Sequence, residues 1–444
     1  MLKFFLPELE ALHAAAGDRD VETCAVGFVC PAGSPGGDTR FVVRELREVP
    51  EAAYLRRTST SAVLAPQYCI EVANSARAQG MGVLFAHTHP GTVPLEGFST
   101  VDDDGERQLR EYFGRRVPNA THFAAVLTKN NVFCRVLGHT ARIPVVAIAR
   151  TLMLPVATSS DSLAQYDRQV RAFGAEGQQI LRDIKVAIVG LGGTGSVVAQ
   201  QLAHLGVLRY TLIDPDTVEA SNLNRLVGAA NADVGARKVA VASRQIVALQ
   251  PQARCVEVVG DVVDEDIAAL LPDVDFIFAC TDSMASRAVL NQLAYQYLVP
   301  CIDVGVAVGI ADRQVQYITG RTQMLSPSLA CLVCTELLDA EQVRRELLSE
   351  EQRKRDPYIV GATVPQPAVI SLNSTMSSAA VTMFLAAVTG MPSNARMVIY
   401  DAIRGALRPN AMVPRPHCIV CSHDGALARG ATWKLPTRRR SLHA

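Results

Sequence analysis

Apolar and polar positions follow two rhythms along the chain, and the change between them falls near residue 155. Short alternating runs dominate the first stretch. Arg40-Phe-Val-Val-Arg-Glu-Leu-Arg-Glu-Val has period two and predicts a strand, and Glu22-Thr-Cys-Ala-Val-Gly-Phe-Val predicts a helix end passing into a strand. Gln67 to Gln79 keeps its apolar residues on one helical face. Gly82-Val-Leu-Phe-Ala-His87-Thr-His89-Pro90 predicts a strand that carries two histidines at alternate positions, hence on one side of the chain. Residues 141–162 begin extended and end in a Ser/Asp-rich connection, which predicts the boundary.

The second stretch opens with Val186-Ala-Ile-Val-Gly190-Leu-Gly192-Gly193-Thr-Gly195-Ser196: four β-formers, a glycine cluster, then apolar residues at helical spacing. This predicts strand, tight turn and helix, with the glycines letting backbone approach an anion at the helix N-terminus. Tyr210-Thr-Leu-Ile-Asp214 predicts the next strand, ending in an acid about twenty residues on, where a ribose hydroxyl is held in dinucleotide folds. Further strands are predicted at Phe276–Thr281, followed by Asp282, and at Pro300–Gly305. Met376 to Met391, rich in Ser, Ala and Thr, is too short to span a bilayer and predicts a packed core helix. The fold class expected is α/β: an α+β N-terminal domain over 1–150, a Rossmann-like doubly wound domain over 156–425, and a basic tail over 426–444.

Taken alone, Gly190-x-Gly192-x-x-Gly195 with Asp214 is a fingerprint shared by NAD and FAD proteins. The residues that follow narrow it. Asp216, Ser221, Asn222, Asn224, Arg225 and Lys238 place far more anion-binding chemistry after the second strand than a nicotinamide needs. Arg225 and Lys238 suit a triphosphate, and Asp282 at a strand end suits magnesium.

Composition adds a size and a compartment. The 444 residues, 49% hydrophobic, supply cores for two domains. Lys plus Arg and Asp plus Glu both number 43, so the net charge is zero, which argues against nucleic-acid or anionic-membrane binding. The run Arg438-Arg439-Arg440 is expected to be solvated. Glu8 and Glu10 interrupt the apolar N-terminus before it reaches signal-peptide length, so a soluble cytoplasmic protein is expected. In that compartment, cysteine pairs mean metal before disulfide. Cys331-Leu-Val-Cys334 and Cys418-Ile-Val-Cys421 form two knuckles of one four-sulfur, saturated, structural zinc site. His87, His89 and Asp102, following Ser99, offer three ligands of the catalytic-zinc kind with a fourth position for water.

Two family resemblances rest on these residues. Residues 163–425 resemble the ubiquitin-activating enzyme superfamily and its ThiF/MoeB-like adenylyltransferases. The matching motifs are Tyr166-x-Arg168-Gln169, Phe173-Gly174, the glycine turn, Asp214-x-Asp216, Ser221-Asn222-Leu-Asn224-Arg225, Asp233-x-Gly235-x-x-Lys238 and Cys-Thr-Asp282. The resemblance implies ATP-dependent adenylation of the C-terminus of a ubiquitin-like protein. Asp214 would hold the ribose, Asn222, Arg225 and Lys238 the phosphates, and Asp282 the Mg²⁺. Arg168 would reach into the site of a second copy, which implies a homodimer. The histidine stretch resembles the JAB/MPN metalloprotease motif. By that resemblance His87, His89 and Asp102 bind Zn²⁺, Glu22 is the general base and Ser99 holds the oxyanion. Nine residues separate His89 from Ser99 where the family commonly has seven, so Asp103 and Asp104 stand as rival ligands.

Together these imply a fused enzyme: the first half trims or removes a ubiquitin-like protein and the second adenylates its C-terminus, in a bacterial conjugation system. The alternative is trimming and adenylation of a sulfur carrier for thiocarboxylate formation. A conjugating enzyme or a sulfurtransferase would be the next partner. A third reading is an NAD-binding regulator with an inert scaffold. The crossing from Tyr358 to Asn373 has no cysteine for a thioester, and Cys255, Cys280 and Cys301 are expected to be buried and inert.

Overall fold

A computed structural model describes residues 1–17, 20–34, 36–90, 97–128, 131–155, 164–312, 314–348 and 367–439. The chain forms two compact units. The first comprises Met1–Ala149, Met153–Pro155 and Leu427–Lys434, and the second Arg150–Leu152, Val156–Ala426 and Leu435–Ala444. The C-terminal tail is therefore divided between the units.

The first unit is built on strands β1 (Leu2–Phe5), β2 (Cys24–Pro31), β3 (Phe41–Glu48), β4 (Tyr54–Arg57), β5 (Ala62–Leu64), β6 (Gly82–Thr88), β7 (Phe123–Leu127), β8 (Val132–Val136), β9 (Arg142–Ile143), β10 (Val145–Ile148) and β11 (Leu152–Met153). Its main sheet has the order β11-β10-β1-β3-β2-β6-β7-β8-β9, with β4 and β5 paired separately. Parallel pairs (β1 with β10 and β3, β6 with β7) are mixed with antiparallel ones (β2 with β3 and β6). Helices α1 (Leu6–Gly17), α2 (Pro66–Gln79) and α3 (Thr100–Arg116) accompany it. Leu2, Phe4, Leu84, Phe123 and Ala147 lie in one buried cluster. Residues 20–23 before β2 are irregular, so the helix end expected at Glu22 is absent; the chain turns there and enters the strand at Cys24. Ser99 accepts from the Asp102 amide and Asp102 from the Ser99 amide, a reciprocal cap that starts α3 and fixes Asp102 in its first turn.

The second unit runs α4 (Asp167–Asp183), β12 (Lys185–Val189), α5 (Gly193–Leu205), β13 (Arg209–Ile213), α6 (Lys238–Leu249), β14 (Arg254–Val258), α7 (Glu265–Ala268), β15 (Phe276–Ala279), α8 (Met284–Gln296), β16 (Cys301–Ala311), β17 (Gln314–Leu325), α9 (Ala340–Leu347), α10 (Ile370–Val388), β18 (Met397–Asp401) and β19 (Ala406–Pro409). The sheet order is β14-β13-β12-β15-β16-β17-β18-β19. The first five of these are parallel and the rest antiparallel. The central parallel strands β12 and β15 are apolar runs because helices cover them, whereas β14 at the edge is mostly exposed, and Phe384 of α10 meets the rings of Phe276 and Phe278 at 4.8 and 5.5 Å. Helix α10 starts earlier than its apolar pattern suggested; its 19 residues satisfy the length and hydropathy of a membrane span, and half of that window is buried against the unit.

Candidate functional site

The carboxyl ends of β12, β13 and β15 open into a cleft of about 480 Å³. Its floor is the glycine turn and the N-terminus of α5. A Cβ at Gly195 would lie 1.8 Å from the Gly190 carbonyl oxygen, so this turn closes only without a side chain there. Asp214, almost fully buried, accepts from the Leu191 amide (2.6 Å) and the Asp216 amide (2.8 Å). It thus staples the turn to the end of β13, and each oxygen keeps a lone pair for a hydroxyl donor. Burial pushes its carboxyl up in pKa, and Lys238, 4.0 Å away, pulls against that.

Among the described residues, Arg225, Lys238 and Arg287 are the cations that line the cleft. Lys238 Nζ lies 2.7 Å from Asp216 Oδ2, and Arg225 lines the cleft beside it. Arg225 donates to the Ser221 carbonyl (2.7 Å) and to Asn224 Oδ1 (3.1 Å). Asn222 does not line the cleft: its Oδ1 accepts from the Glu219 amide and its amide donates to Ser221. Asn222 and Asn224, expected from the sequence at the nucleotide, bond here within the turn that presents Arg225. Likewise Asp233 accepts from the Ala230 amide and from Arg244, pinning the turn before Lys238.

Asp282 stands exposed on the opposite lip. Its neighbours are tightly tied: Ser283 and the Ala285 amide both donate to Glu346 of α9, and Arg287 donates to the Thr281 carbonyl (3.2 Å). Arg287 also lies 3.4 Å from Asp303, which has no exposed surface and accepts a further hydrogen bond from Arg321. Arg287, Asp303, Glu346 and Asn373 were not singled out from the sequence. Asn373 reaches over the floor so closely that a Cβ at Gly193 would meet its amide at 2.2 Å. Arg168 is exposed on α4 and does not line this cleft.

The four knuckle cysteines converge although 87 residues separate the pairs: Cys331 Sγ lies 3.7 Å from Cys334 and 3.5 Å from Cys418, and Cys334 lies 3.5 Å from Cys421. Disulfides need about 2.05 Å, whereas a tetrahedral site with bonds of about 2.3 Å has edges of about 3.8 Å. The Arg415 amide donates to Cys334 Sγ (3.3 Å), the partner a bound thiolate uses. Hydrogen bonds with the neighbouring thiols, that with Cys421 the strongest, hold the Cys331 thiol below its ordinary range. The donor set fits zinc.

The ThiF family profile matches residues 166–420, from the start of α4's approach to the second knuckle. The chain belongs to the ThiF family. The chain is similar to the molybdopterin-synthase adenylyltransferase of Escherichia coli, 32% identical over 265 residues, which are 59% of this chain and 98% of that protein. The sulfur carrier protein adenylyltransferase of Thermus thermophilus is 28% identical over 276 residues, 60% of this chain and 93% of the relative. A crystal structure of Escherichia coli MccB with ATP aligns at TM-score 0.45 and 20% identity, over 59% of this chain and 75% of that one.

The histidine cluster lies outside the ThiF match, in the first unit. His87 at the end of β6 and His89 just past it turn their Nε2 atoms toward one another, 3.0 Å apart. Asp102 Oδ1 is 2.9 Å from His87 and Oδ2 3.4 Å from His89. Zinc bonds of about 2.0–2.1 Å give edges of about 3.4 Å, so the set fits the metal. The rival carboxylates are elsewhere: Asp103 pairs with Arg135 at 2.6 Å and Asp104 with Arg107 at 3.0 Å. Burial pushes the Asp102 carboxyl up, but hydrogen bonds from both histidines outweigh it and hold it well below the usual range. Glu22, buried ahead of β2, is pushed up by burial and partly offset by His87 and His89.

Proposed function

We propose that this chain adenylates the C-terminal carboxylate of a small sulfur-carrier protein, and that its first unit is a JAB/MPN-like zinc peptidase that trims the carrier's tail. A carboxylate oxygen of the carrier attacks the α-phosphorus of ATP. The α–β P–O bond breaks, an acyl adenylate forms and pyrophosphate leaves. The observation that carries this reading is the convergence of Arg225, Lys238 and Asp282 on the N-terminus of α5. Lys238 leaves Asp216 for phosphate oxygens, Arg225 stabilises charge on the same group, and Asp282 supplies oxygen ligands for Mg²⁺. Asp214 takes the ribose hydroxyls. Arg168, exposed on α4, acts in the cleft of a second copy in a homodimer.

Thiol chemistry favours the sulfur-carrier reading over conjugation. Burial pushes up each of the seven cysteines outside the four-thiol cluster, Cys280 at the cleft to about 12. None is lowered toward the thiolate that would take the acyl group as a thioester, so the acyl group passes from the adenylate to sulfur on a separate sulfurtransferase: the C–S bond forms, the acyl C–O bond to phosphate breaks and AMP leaves. The relatives named for molybdopterin synthase and sulfur carriers support the same substrate class.

In the peptidase, zinc held by His87, His89 and Asp102 supplies Lewis acidity. Glu22 takes and returns the proton, and Ser99, whose oxygen caps α3, still has its own proton to donate to an oxyanion. The test is to incubate the chain with ATP and a Gly-Gly-ending sulfur carrier, quench in acid and measure intact masses. Unmodified enzyme with adenylated carrier is the expected result. A thiol-sensitive carrier adduct on this chain would overturn the sulfur-carrier reading.

A further inference from the structure

Arg438, the first of the arginines expected to be solvated, is built into the second unit, while Arg439 is exposed and Arg440 lies outside the described residues. Residues 435–439 return to the second unit and add a parallel bridge to the loop after β14, with Arg438 opposite Asp264. The Arg438 amide donates to the Val263 carbonyl (2.9 Å), and the Glu265 amide donates to the Arg438 carbonyl (3.0 Å). The guanidinium lies 2.6 Å from Asp264, which is only 4% exposed, and 3.5 Å from Asp261 Oδ2. Asp261 faces two ways. Its Oδ1 accepts from the Val263 amide (3.2 Å) and from Ser286 (3.3 Å), and Gly260, Asp261, Val262 and Ser286 all line the cleft.

The sheet order says what this wall is for. Strands β14, β13 and β12 are neighbours, the glycine turn follows β12 and Asp214 follows β13. On the reading proposed above, with phosphates at the glycine turn and ribose at Asp214, the base extends toward the loop after β14. We infer that Arg438 is a positioning residue of the nucleotide site: it clamps residues 259–264 as the wall for the base of ATP and neutralises Asp261, a carboxylate on a cleft that receives a polyanion. Without it, Asp261 repels the nucleotide, Asp264 loses its guanidinium, and the wall loosens. Arg439, 3.3 Å from Glu265 on the surface, adds little.

The experiment is calorimetric titration of the full-length chain with the α,β-methylene analogue of ATP, alongside ATP kinetics in pyrophosphate exchange. Arg438→Ala is expected to weaken analogue binding roughly tenfold, the scale of one lost charged hydrogen bond, and to raise the KM for ATP equally while kcat holds. Arg438→Lys keeps the charge but not the fork, so roughly threefold is expected. In an Asp261→Asn background, Arg438→Ala should cost less than in the native chain. Arg438→Ala within twofold of native binding would overturn the inference, as would a fall in kcat at unchanged KM or an Arg438→Lys chain no better than Arg438→Ala. Native chain that binds no analogue at all would instead overturn the nucleotide reading on which the inference rests.

Discussion

Asp303→Asn removes one charge from a place where three groups meet out of water. The carboxylate has no exposed surface, and its partners Arg287 and Arg321 are 12% and 13% exposed. Burial already works against the Arg321 cation and the Asp303 charge works for it. Taking away the only anion of such a group costs about 3–5 kcal/mol, and because an asparagine oxygen still accepts one hydrogen bond, the lower end applies. At about 2–4 °C per kcal/mol for a domain of this size, the melting transition of the second unit should fall by about 6–12 °C. Arg287 would also lose the anchor that keeps it on the Thr281 carbonyl, next to Asp282. Exchange activity measured well below the transition should therefore drop, roughly tenfold, through kcat. Scanning calorimetry on the full chain reads the first effect and pyrophosphate exchange the second. A melting shift under 2 °C would refute the reasoning, since it would mean that Asp303 carries no net charge interaction with the two arginines.

Cys331→Ser should remove one zinc per chain from the metal analysis and destabilise the second unit, while His87→Ala should remove the other zinc and leave exchange unchanged. Lys238→Ala should lower exchange by about a hundredfold or more, because Lys238 acts on phosphate charge in a partly dehydrated cleft. For Glu8, burial and then Glu45 push the carboxyl from 4.5 up to about 7. The folded chain binds this proton more tightly than the unfolded one, so its stabilising contribution is lost as pH rises from 4.5 to about 7. Glu8→Gln should flatten that part of the stability curve and raise the melting temperature at pH 8 relative to pH 5; an unchanged pH slope in chemical denaturation would count against it.

What the sequence made legible was local chemistry. The glycine turn was readable because a tight strand-to-helix turn fixes backbone geometry within a dozen residues, and Gly195 shows that constraint directly. The histidine pair was readable because alternate strand positions share a face, and the two cysteine knuckles because their internal spacing marks each half of a tetrahedral site. Groups joined across long separations were not. Glu346 caps the Asp282 loop from more than sixty residues downstream. Asp303 lies in an apolar run that gives no hint of two arginines. Arg438 sits in a run whose composition resembles a solvated tail, and only the returning backbone brings it to Asp264. Motif spacing likewise placed Asn222 and Asn224 near the site but gave no hint that their side chains bond within the turn that presents Arg225.

The central claim is most directly tested by ATP–pyrophosphate exchange with sulfur-carrier proteins ending in Gly-Gly, each supplied with a free C-terminal carboxylate and as the C-terminal amide. Exchange is predicted with the free carboxylate and Mg²⁺, none with the amide, and none after Asp282→Ala. NAD binding with no exchange for any carrier would contradict the account.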